Sequence, residues 1–313
     1  MKYAILGRTG LEVSVMGLGA GGASRIGQGT GRTEAESVAV VRRALDMGVN
    51  IVDTAEVYGN EAIVGRAIRE AGRRDIVVST KKTSAKDGRP VTPEELVAGL
   101  EGSLSRLGLE RVDIYHLHGV SPDHYLRARD ELVPAMLKLK TQGKIGFLGI
   151  TEAFESDRGH AMLSLAVMDD CWDVMMVGFN ILNQSARNRV FPGALRNGCG
   201  VLAMFVVRKV MGRAELLRES VRRIREAGKL GPGLPEGDDL PAYLAGEGGA
   251  GSPTEAAYRF CRHEPGMHCV LSGTGNPDHV AANARALCLP PLPPAVAAAL
   301  RQAFAAVDDV SGG

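Results

Sequence analysis

Short apolar runs alternate with amphipathic stretches along almost the whole chain. Eight runs of strand length are bounded by turn residues, and a segment with helical periodicity follows nearly every one of them. Runs that are apolar on both faces are typical of parallel strands whose outer side is covered by helices. The predicted strands are residues 14–19, 49–53, 76–80, 112–117, 146–150, 173–178, 200–205 and 268–272.

The predicted helices have recognisable beginnings and ends. Thr33 with Glu36, and Thr92 with Glu95, have the spacing of a capping box, in which each side chain binds the other residue's backbone N–H. Glycines at positions 72, 143 and 228 follow three helices and predict left-handed ends. The predicted helices are residues 34–47, 61–71, 93–107, 123–142, 157–169, 185–197, 213–227, 254–263, 277–287 and 294–307.

This order of elements predicts an α/β fold, the closed TIM (β/α)8 barrel, with residues 1–313 as a single domain. A doubly wound open sheet is the structural alternative, and the count of eight strands favours the barrel. Residues 2–12 predict a small N-terminal β-hairpin that plugs the bottom of the barrel. Residues 229–253 predict a long irregular loop before the last helix–strand unit, of the kind that serves as a lid or binding loop.

Composition adds limits to this picture. A hydrophobic fraction of 45% supports a substantial core, and a net charge of +1 gives no support for a nucleic-acid or acidic-membrane partner. Five scattered cysteines fit a reducing compartment, and no apolar run approaches the roughly 18 residues of a membrane span. The first ten residues are too polar for a signal peptide. We therefore expect a soluble, cytoplasmic protein, whose oligomeric state the sequence leaves open.

A glycine-rich run lies at residues 17–22, Gly-Leu-Gly-Ala-Gly-Gly, and has the G-x-G-x-x-G spacing of a Rossmann dinucleotide site. That fingerprint requires a helix to begin immediately after the turn, so that its N-terminal amides hold the pyrophosphate. Residues 24–31 are too rich in glycine to begin a helix, and the first helix start is Thr33. The glycines are therefore expected to end the first strand rather than to form a Rossmann site.

Polar residues follow several predicted strands at the edge where barrel enzymes carry their chemistry. Asp53 and Tyr58 follow the second strand, Lys81 ends the third and His118 follows the fourth. A free tyrosine has a pKa of about 10, a neighbouring ammonium favours the phenolate, and a carboxylate can hold that ammonium in place. A neutral histidine can orient a substrate oxygen. Such a group suits protonation of a carbonyl oxygen while hydride, which no side chain supplies, arrives from a cofactor.

These residues lie in segments that resemble a known family. GVNIVDTAEVYGN, IVVSTK, VDIYHLHGV, GKIGFLGIT and GNPDHVAANARAL resemble successive motifs of the aldo-keto reductases, and LGRTGLEVSVMGLGAGG resembles their N-terminal hairpin and first strand. The resemblance covers nearly the whole chain in order. It implies a TIM barrel that binds a nicotinamide cofactor, usually NADP(H), without a Rossmann fold. It also implies a catalytic tetrad of Asp53, Tyr58, Lys81 and His118, and selects Lys81 over the adjacent Lys82.

Structural roles are the alternatives for these residues. Asp53 alone could cap a helix, but Tyr58 five residues later favours catalysis. His116 and His118 share one face of a strand, which raises the possibility of a metal, but no third ligand lies nearby in the sequence. In HEPGMHC, residues 263–269, a Pro-Gly pair separates the histidines and breaks any helix, so we expect a loop and no metal.

The resemblance also implies cofactor-binding positions, and several depart from the family pattern. Glu152 replaces an asparagine that binds the nicotinamide carboxamide, Met176 replaces a glutamine, and Met204 replaces an aromatic that stacks on the ring. The expected cofactor positions are Gly19, Ala20, Gly21, Thr151, Glu152, Met176, Met204, Arg208, Gly273, Thr274, Gly275, Asn276, His279 and Asn283.

The phosphate-binding positions bear on the choice of cofactor. The amides of residues 273–275 and the helix that follows suit a phosphate, but the basic clamp that often binds the 2′-phosphate of NADP is absent there. Arg208 and Lys209 could supply charge from the seventh strand, so we expect NADP(H) in preference to NAD(H).

The expected function is that of an NAD(P)(H)-dependent oxidoreductase that interconverts a small-molecule carbonyl (aldehyde, ketone or sugar) and an alcohol, with Tyr58 as general acid/base. The alternatives are a redox-neutral lyase or isomerase that uses the same residues, and a non-catalytic binding or regulatory protein on the same fold.

Overall fold

The computed structural model describes residues 1–86, 88–234 and 239–313, and all eight predicted strands are present in it. In chain order the strands are β1 (Tyr3–Ile5), β2 (Glu12–Ser14), β3 (Met16–Gly19), β4 (Ile51–Asp53), β5 (Val77–Thr83), β6 (Ala85–Lys86), β7 (Arg89–Pro90), β8 (Val112–Val120), β9 (Ile145–Glu152), β10 (Val174–Gly178), β11 (Gly200–Met204) and β12 (Cys269–Ser272).

The parallel strands close on themselves in the order β10-β11-β12-β3-β4-β5-β8-β9, and β10 pairs with β9. The closing contact joins the last strand to the first, with Val270 opposite Met16. An open doubly wound sheet has no such pairing. The predicted TIM barrel is therefore confirmed, and the open-sheet alternative is wrong.

Helices surround the barrel, and several begin or end where capping residues predict. The capping boxes of Thr33 with Glu36 and of Thr92 with Glu95 are both formed. No helix within the described residues is long and apolar enough to cross a membrane. The helices are α1 (Glu34–Asp46), α2 (Glu61–Ala71), α3 (Pro93–Leu107), α4 (Tyr125–Arg127), α5 (Val133–Thr141), α6 (Ala161–Ala166), α7 (Ala186–Arg189), α8 (Phe191–Arg196), α9 (Arg208–Met211), α10 (Ala214–Glu226), α11 (Leu240–Ala245), α12 (Pro253–Arg262), α13 (Pro277–Cys288) and α14 (Pro294–Ala303).

The N-terminal hairpin closes the lower end of the barrel, as predicted. Strands β1 and β2 pair antiparallel, with Ala4 opposite Val13. Leu6 and Val13 are fully buried in the apolar cluster that fills the barrel interior, together with Ile51 and Val77. The hairpin thus fills the end of the barrel where the strands begin, and the C-terminal ends of the strands lie at the opposite end.

Several predicted segments differ in detail from the structure. The helix expected at residues 123–142 is divided into α4 and α5 by the π-helical segment Ala128–Leu132. The helix expected at residues 157–169 is confined to α6, because His160 has a left-handed backbone and the Asp157 carboxylate accepts from Ala161 N and Met162 N. The helix expected at 185–197 is divided into α7 and α8 at Val190, whose φ of −121° is not helical. The long connection at 229–253 contains the short helix α11, and residues 235–238 within it lie outside the described residues.

Candidate active site

A buried ion pair between Asp53 and Lys81 forms the base of the site. Lys81 Nζ donates to Asp53 Oδ2 at 2.6 Å and to the carbonyl oxygen of Thr54 at 2.7 Å, and Ser79 Oγ donates to Asp53 Oδ1 at 2.8 Å. Burial opposes the charge on Lys81, but the Asp53 carboxylate and Tyr58 outweigh it and raise the pKa of the ammonium. Lys81 therefore stays a fixed positive charge at neutral pH.

Tyr58 lies above this ion pair, in the 3-10 turn Glu56–Tyr58 that follows β4. The centroid of its ring is 5.1 Å from Lys81 Nζ, and the ring meets the His118 ring edge-on with 5.7 Å between centroids. The backbone of Gly21 approaches the tyrosine closely, since a Cβ at that position would lie 2.5 Å from Tyr58 Cζ. Tyr58 is partly exposed and lies at the end of the barrel where the strands have their C-termini.

His118 is held neutral by its surroundings. Burial, and then the charge of Lys81, lower the pKa of the imidazole to about 3. Its Nδ1 is buried without a hydrogen-bond partner among the described residues. The ring can therefore act near Tyr58 as a neutral hydrogen-bonding group over the whole physiological pH range.

The neighbouring residues Lys82 and His116 take other positions. Lys82 points away from Lys81 and forms an ion pair with Glu56 at 2.6 Å. His116 is fully buried beside Lys81, and Gly149 leaves room for its ring, because a Cβ there would lie 2.2 Å from His116 Nδ1. Burial and the charge of Lys81 hold the pKa of His116 well below its ordinary value. In the part of the chain that the structure describes, no group of His, Cys, Asp and Glu side chains suits a metal ion.

The glycine-rich end of β3 lies beside the candidate catalytic residues Asp53 and Tyr58. Gly19 is paired with Asp53 in the barrel, and Ala20 N donates to the carbonyl oxygen of Asp53 at 2.7 Å. Asn60 Nδ2 donates to the carbonyl oxygen of Ala20. Together with the contact between Gly21 and Tyr58, these bonds place the expected cofactor positions 19–21 directly against the catalytic candidates.

The loop after β12 packs against the loop after β3. A Cβ on Gly273 would lie 3.2 Å from the carbonyl oxygen of Gly19, and one on Gly275 would lie 2.5 Å from Gly27 Cα. Asn276 Oδ1 accepts from Asp278 N and caps α13. Among the described residues, no backbone carbonyl accepts from the N–H of Thr274 or Gly275. These free donors beside a helix N-terminus suit a phosphate group.

Two further predicted positions lie on α13. The side chain of His279 is exposed near the start of the helix. Asn283 Nδ2 donates to Ser272 Oγ at 2.9 Å, which ties the helix to the end of β12. Both positions are therefore close in the fold to the phosphate-compatible loop.

The ends of β9, β10 and β11 form the other side of the open end. Thr151 Oγ1 accepts from Gly119 N at 2.8 Å, and Glu152 accepts from Gly178 N at 2.7 Å and lies 2.8 Å from His160 Nδ1. Met176 is buried in the barrel core, whereas Met204 is half-buried opposite Gly178.

Arg208 is engaged with the loop that follows β9 rather than with the loop that follows β12. Its guanidinium forms an ion pair with Glu155 and lies 4.2 Å above the centroid of the Phe205 ring. Phe205 has a φ of +66° and meets Phe154 edge-on. The ion-pair partner of Arg208 thus lies outside the loop that follows β12.

Sequence reasoning missed three residues that shape the site. Ser79 donates a hydrogen bond to Asp53. Its position two residues before Lys81, on the same face of the strand, could have indicated that it lies in the site. Phe205 follows the position expected to hold the stacking aromatic. His160 binds Glu152 across a loop, and no periodicity in the sequence links the two.

Comparisons with known proteins agree on one family. A family model described as the Aldo/keto reductase family matches residues 16–305. An L-galactose dehydrogenase from Arabidopsis thaliana is 38% identical over 157 residues, which are 48% of each chain. Aldo-keto reductase YhdN from Bacillus subtilis is 35% identical over 205 residues, 63% of this chain and 59% of the relative. The chain thus spans about half the length of the first relative and under two thirds of the second.

A solved structure covers the whole chain. An aldo-keto reductase from Bacillus halodurans, in its holo form, superposes with a TM-score of 0.74 at 25% identity, and the match covers 100% of both chains.

Proposed function

Because the chain belongs to the aldo/keto reductase family, we propose that it is a nicotinamide-dependent oxidoreductase that interconverts a carbonyl group and an alcohol on a small molecule. The observation that carries the proposal is the position of Lys81, whose ammonium lies between the Asp53 carboxylate and the ring of Tyr58. Removing two charges from water is energetically costly, and buried charged groups of this kind cluster at functional sites. Here the buried pair lies beside the partly exposed phenol of Tyr58.

The residues at the open end fit a nicotinamide cofactor. The glycines at 19, 21, 273 and 275 let two backbone loops meet without side chains between them. No backbone carbonyl of the described residues accepts from the N–H groups of Thr274 and Gly275, which suit phosphate oxygens. When bound, the cofactor would supply or accept the hydride, which no protein group can do. Thr151, Met204 and residues 19–21 would hold its reactive end, and Gly273, Thr274, Gly275, Asn276, His279 and Asn283 its phosphate end.

Proton transfer is the task of the protein itself. In reduction, Tyr58 donates its phenolic proton to the carbonyl oxygen, and the Lys81 ammonium stabilises the phenolate that remains. Asp53 fixes Lys81 in place through the 2.6 Å bond. Neutral His118 orients the substrate oxygen without competing for the proton, because its pKa of about 3 keeps it unprotonated. Oxidation follows the same path in reverse.

We propose NADP(H) as the preferred cofactor pair. Arg208 and Lys209, at the start of α9, are the cationic candidates for a 2′-phosphate. Arg208 must exchange Glu155 for the phosphate, and this exchange costs little because the two side chains are 31% and 61% exposed. Clear preference for NADH in a binding assay would contradict this choice.

The first experiment is a titration of the purified protein with NADPH and NADH, followed by the emission of the reduced nicotinamide. NADP and NAD are then measured by competition. The single tryptophan, Trp172, is fully buried beside the N-terminal end of β10, so it is a poor reporter of the site. Tight binding of one cofactor pair is the expected result.

Tyr58→Phe tests the role of the phenol. The variant should bind the cofactor within about twofold of wild type, while turnover falls by at least about 10³-fold because the proton donor is lost. The substrate panel contains aldehydes, ketones and aldoses, with L-galactose included because one relative is an L-galactose dehydrogenase. Tyr3→Phe is the matched control, since Tyr3 lies in the hairpin at the opposite end of the barrel. Cofactor binding by wild type without turnover across the panel would contradict the proposed function.

A further inference from the structure

Two adjacent lysines leave opposite faces of β5. Lys81 points into the barrel, where it binds Asp53, whereas Lys82 points outward to helix α3. A Cβ on Gly99 of α3 would lie 2.7 Å from Lys82 Cδ, so this glycine leaves the space that the stem of Lys82 occupies. The ammonium at the end of that stem lies 2.6 Å from Glu56 Oε2. The second lysine thus has a defined place and a fixed partner.

Glu56 begins the 3-10 turn that carries Tyr58. The chain on either side of this turn is tied together by a bond of 2.8 Å from Thr54 Oγ1 to Asn60 Oδ1. The turn itself lies near the surface, since the residue between Glu56 and Tyr58 is 53% exposed. Among the described residues, the bond between Glu56 and Lys82 is the only ion pair that any residue of the turn makes.

The surroundings of this ion pair favour a firm contact. The side chains of Lys82 and Glu56 are only 17% and 29% exposed, so water screens their attraction less than it screens a pair on the open surface. On the inner side of the same turn, the centroid of the Tyr58 ring lies 5.1 Å from Lys81 Nζ. The turn is therefore held from both faces of one strand, by two consecutive lysines.

We propose that Lys82 and Glu56 are positioning residues that hold the phenol of Tyr58 beside the Lys81 ammonium. The inference rests on the proposed function, in which Tyr58 exchanges a proton with the substrate oxygen. The rate of such a transfer depends steeply on the placement of the reacting groups. Neither Lys82 nor Glu56 touches those groups, and both act by fixing the backbone of the turn. Without their ion pair, the outer side of the turn loses its anchor and the phenol shifts away from the substrate oxygen.

Lys82→Gln tests the proposal, because it removes the ion pair and keeps part of the stem against Gly99. We expect kcat to fall about tenfold and the Kd of the cofactor to stay within about twofold of wild type, because a shift of less than about 1 Å costs less than about 10²-fold. Glu56→Gln should give the same loss from the other partner. Lys144→Gln is the matched control, since Lys144 forms an ion pair with Glu101 ahead of β9, at the other end of the barrel. Its kcat should equal that of wild type.

Glu56→Lys combined with Lys82→Glu separates position from charge. The exchange preserves the combined length of the two side chains and restores an ion pair, so kcat should return to within about threefold of wild type. A direct effect of the two charges on the phenol would instead change sign with the exchange. An exchanged protein that folds but keeps the low kcat of the single variants would overturn the proposal, as would an unchanged kcat in Lys82→Gln and Glu56→Gln.

Fluorine NMR of protein labelled with fluorotyrosine gives a readout that needs no turnover. The chain has six tyrosines, and the line of Tyr58 is identified by its loss in Tyr58→Phe. We expect Lys82→Gln to shift or broaden this line, the exchanged protein to restore it, and the line of Tyr3 to stay in place. An unmoved Tyr58 line in Lys82→Gln would overturn this inference alone. Absence of turnover by wild type, with a Tyr58 line that depends on Lys82, would instead contradict the proposed function.

Discussion

Gly21 lies in a sequence pattern that resembles one kind of site, while the structure uses the residue for another purpose. Its run of glycines has the spacing of a dinucleotide fingerprint, yet the structure uses Gly21 to let the backbone approach the Tyr58 ring. A Cβ there would lie 2.5 Å from Tyr58 Cζ and 2.9 Å from the hydroxyl oxygen. The absence of a side chain at Gly21 therefore determines where the phenol can lie.

Replacing Gly21 with alanine should displace the phenol. We expect Gly21→Ala to lower kcat by about 10²-fold, the scale of loss that follows from moving a catalytic group by about 1 Å. Gly212→Ala is the control, because the nearest atoms to an added Cβ there are 3.7 Å and 3.9 Å away, ordinary contacts far from Tyr58. Steady-state kinetics and thermal unfolding of both variants would separate displacement of the Tyr58 phenol from a general loss of stability. Unchanged kcat in Gly21→Ala would show that Tyr58 does not depend on this contact.

At the scale of elements, the N-terminal hairpin closes the end of the barrel where the strands begin. Leu6 is fully buried against Gly200, where any added Cβ would lie 2.6 Å from Leu6 Cγ. Arg8 continues the contact through its bonds to Asp173 and to the carbonyl oxygen of Trp172. The plug is therefore specific packing between the hairpin and the strand starts.

Shortening a buried side chain of the hairpin should lower the stability of the fold and leave the catalytic residues in place. We expect Leu6→Ala to lower the free energy of unfolding by about 2–5 kcal/mol, because a fully buried leucine leaves a cavity. Ile5→Ala, one residue earlier and 52% exposed, should cost under about 1 kcal/mol. Urea denaturation measures both. Equal losses in the two variants would contradict the role assigned to Leu6.

The elements also show what the sequence can and cannot predict. Helices α2 and α3 were predicted to the residue, because Gly72 after α2 and the Thr92–Glu95 capping box before α3 are local signals. Helix α6 was predicted too long, because its start depends on the left-handed backbone of His160, which only the surrounding contacts impose. The convergence of the strand ends predicted that Asp53 and Tyr58 lie near the lysines and histidines of the next two strands, but only the resemblance selected Lys81 and His118 among them. The Glu152–His160 bond could not be predicted, since it spans a loop whose shape no periodicity encodes.

At the scale of the whole molecule, the barrel buries two neutral histidines beside a fixed positive charge. Burial and Lys81 lower the pKa of His118 to about 3 and hold the pKa of His116 well below its ordinary value. In the unfolded chain both imidazoles titrate at about 6.5. Protons therefore bind the unfolded state first as the pH falls, so this part of the stability is complete above pH 6.5 and is lost in acid.

The free energy of unfolding should depend less steeply on pH when one of these histidines is removed. Each proton taken up only by the unfolded state changes the free energy of unfolding by about 1.4 kcal/mol per pH unit. Between pH 6 and pH 4, we expect the slope for His116→Gln to be shallower than that of wild type by up to this amount. His124→Gln, in the half-exposed turn Pro122–His124, should leave the slope unchanged. Urea titrations at a series of pH values give the slopes, and parallel curves for His116→Gln and wild type would mean that His116 takes up a proton in the folded barrel.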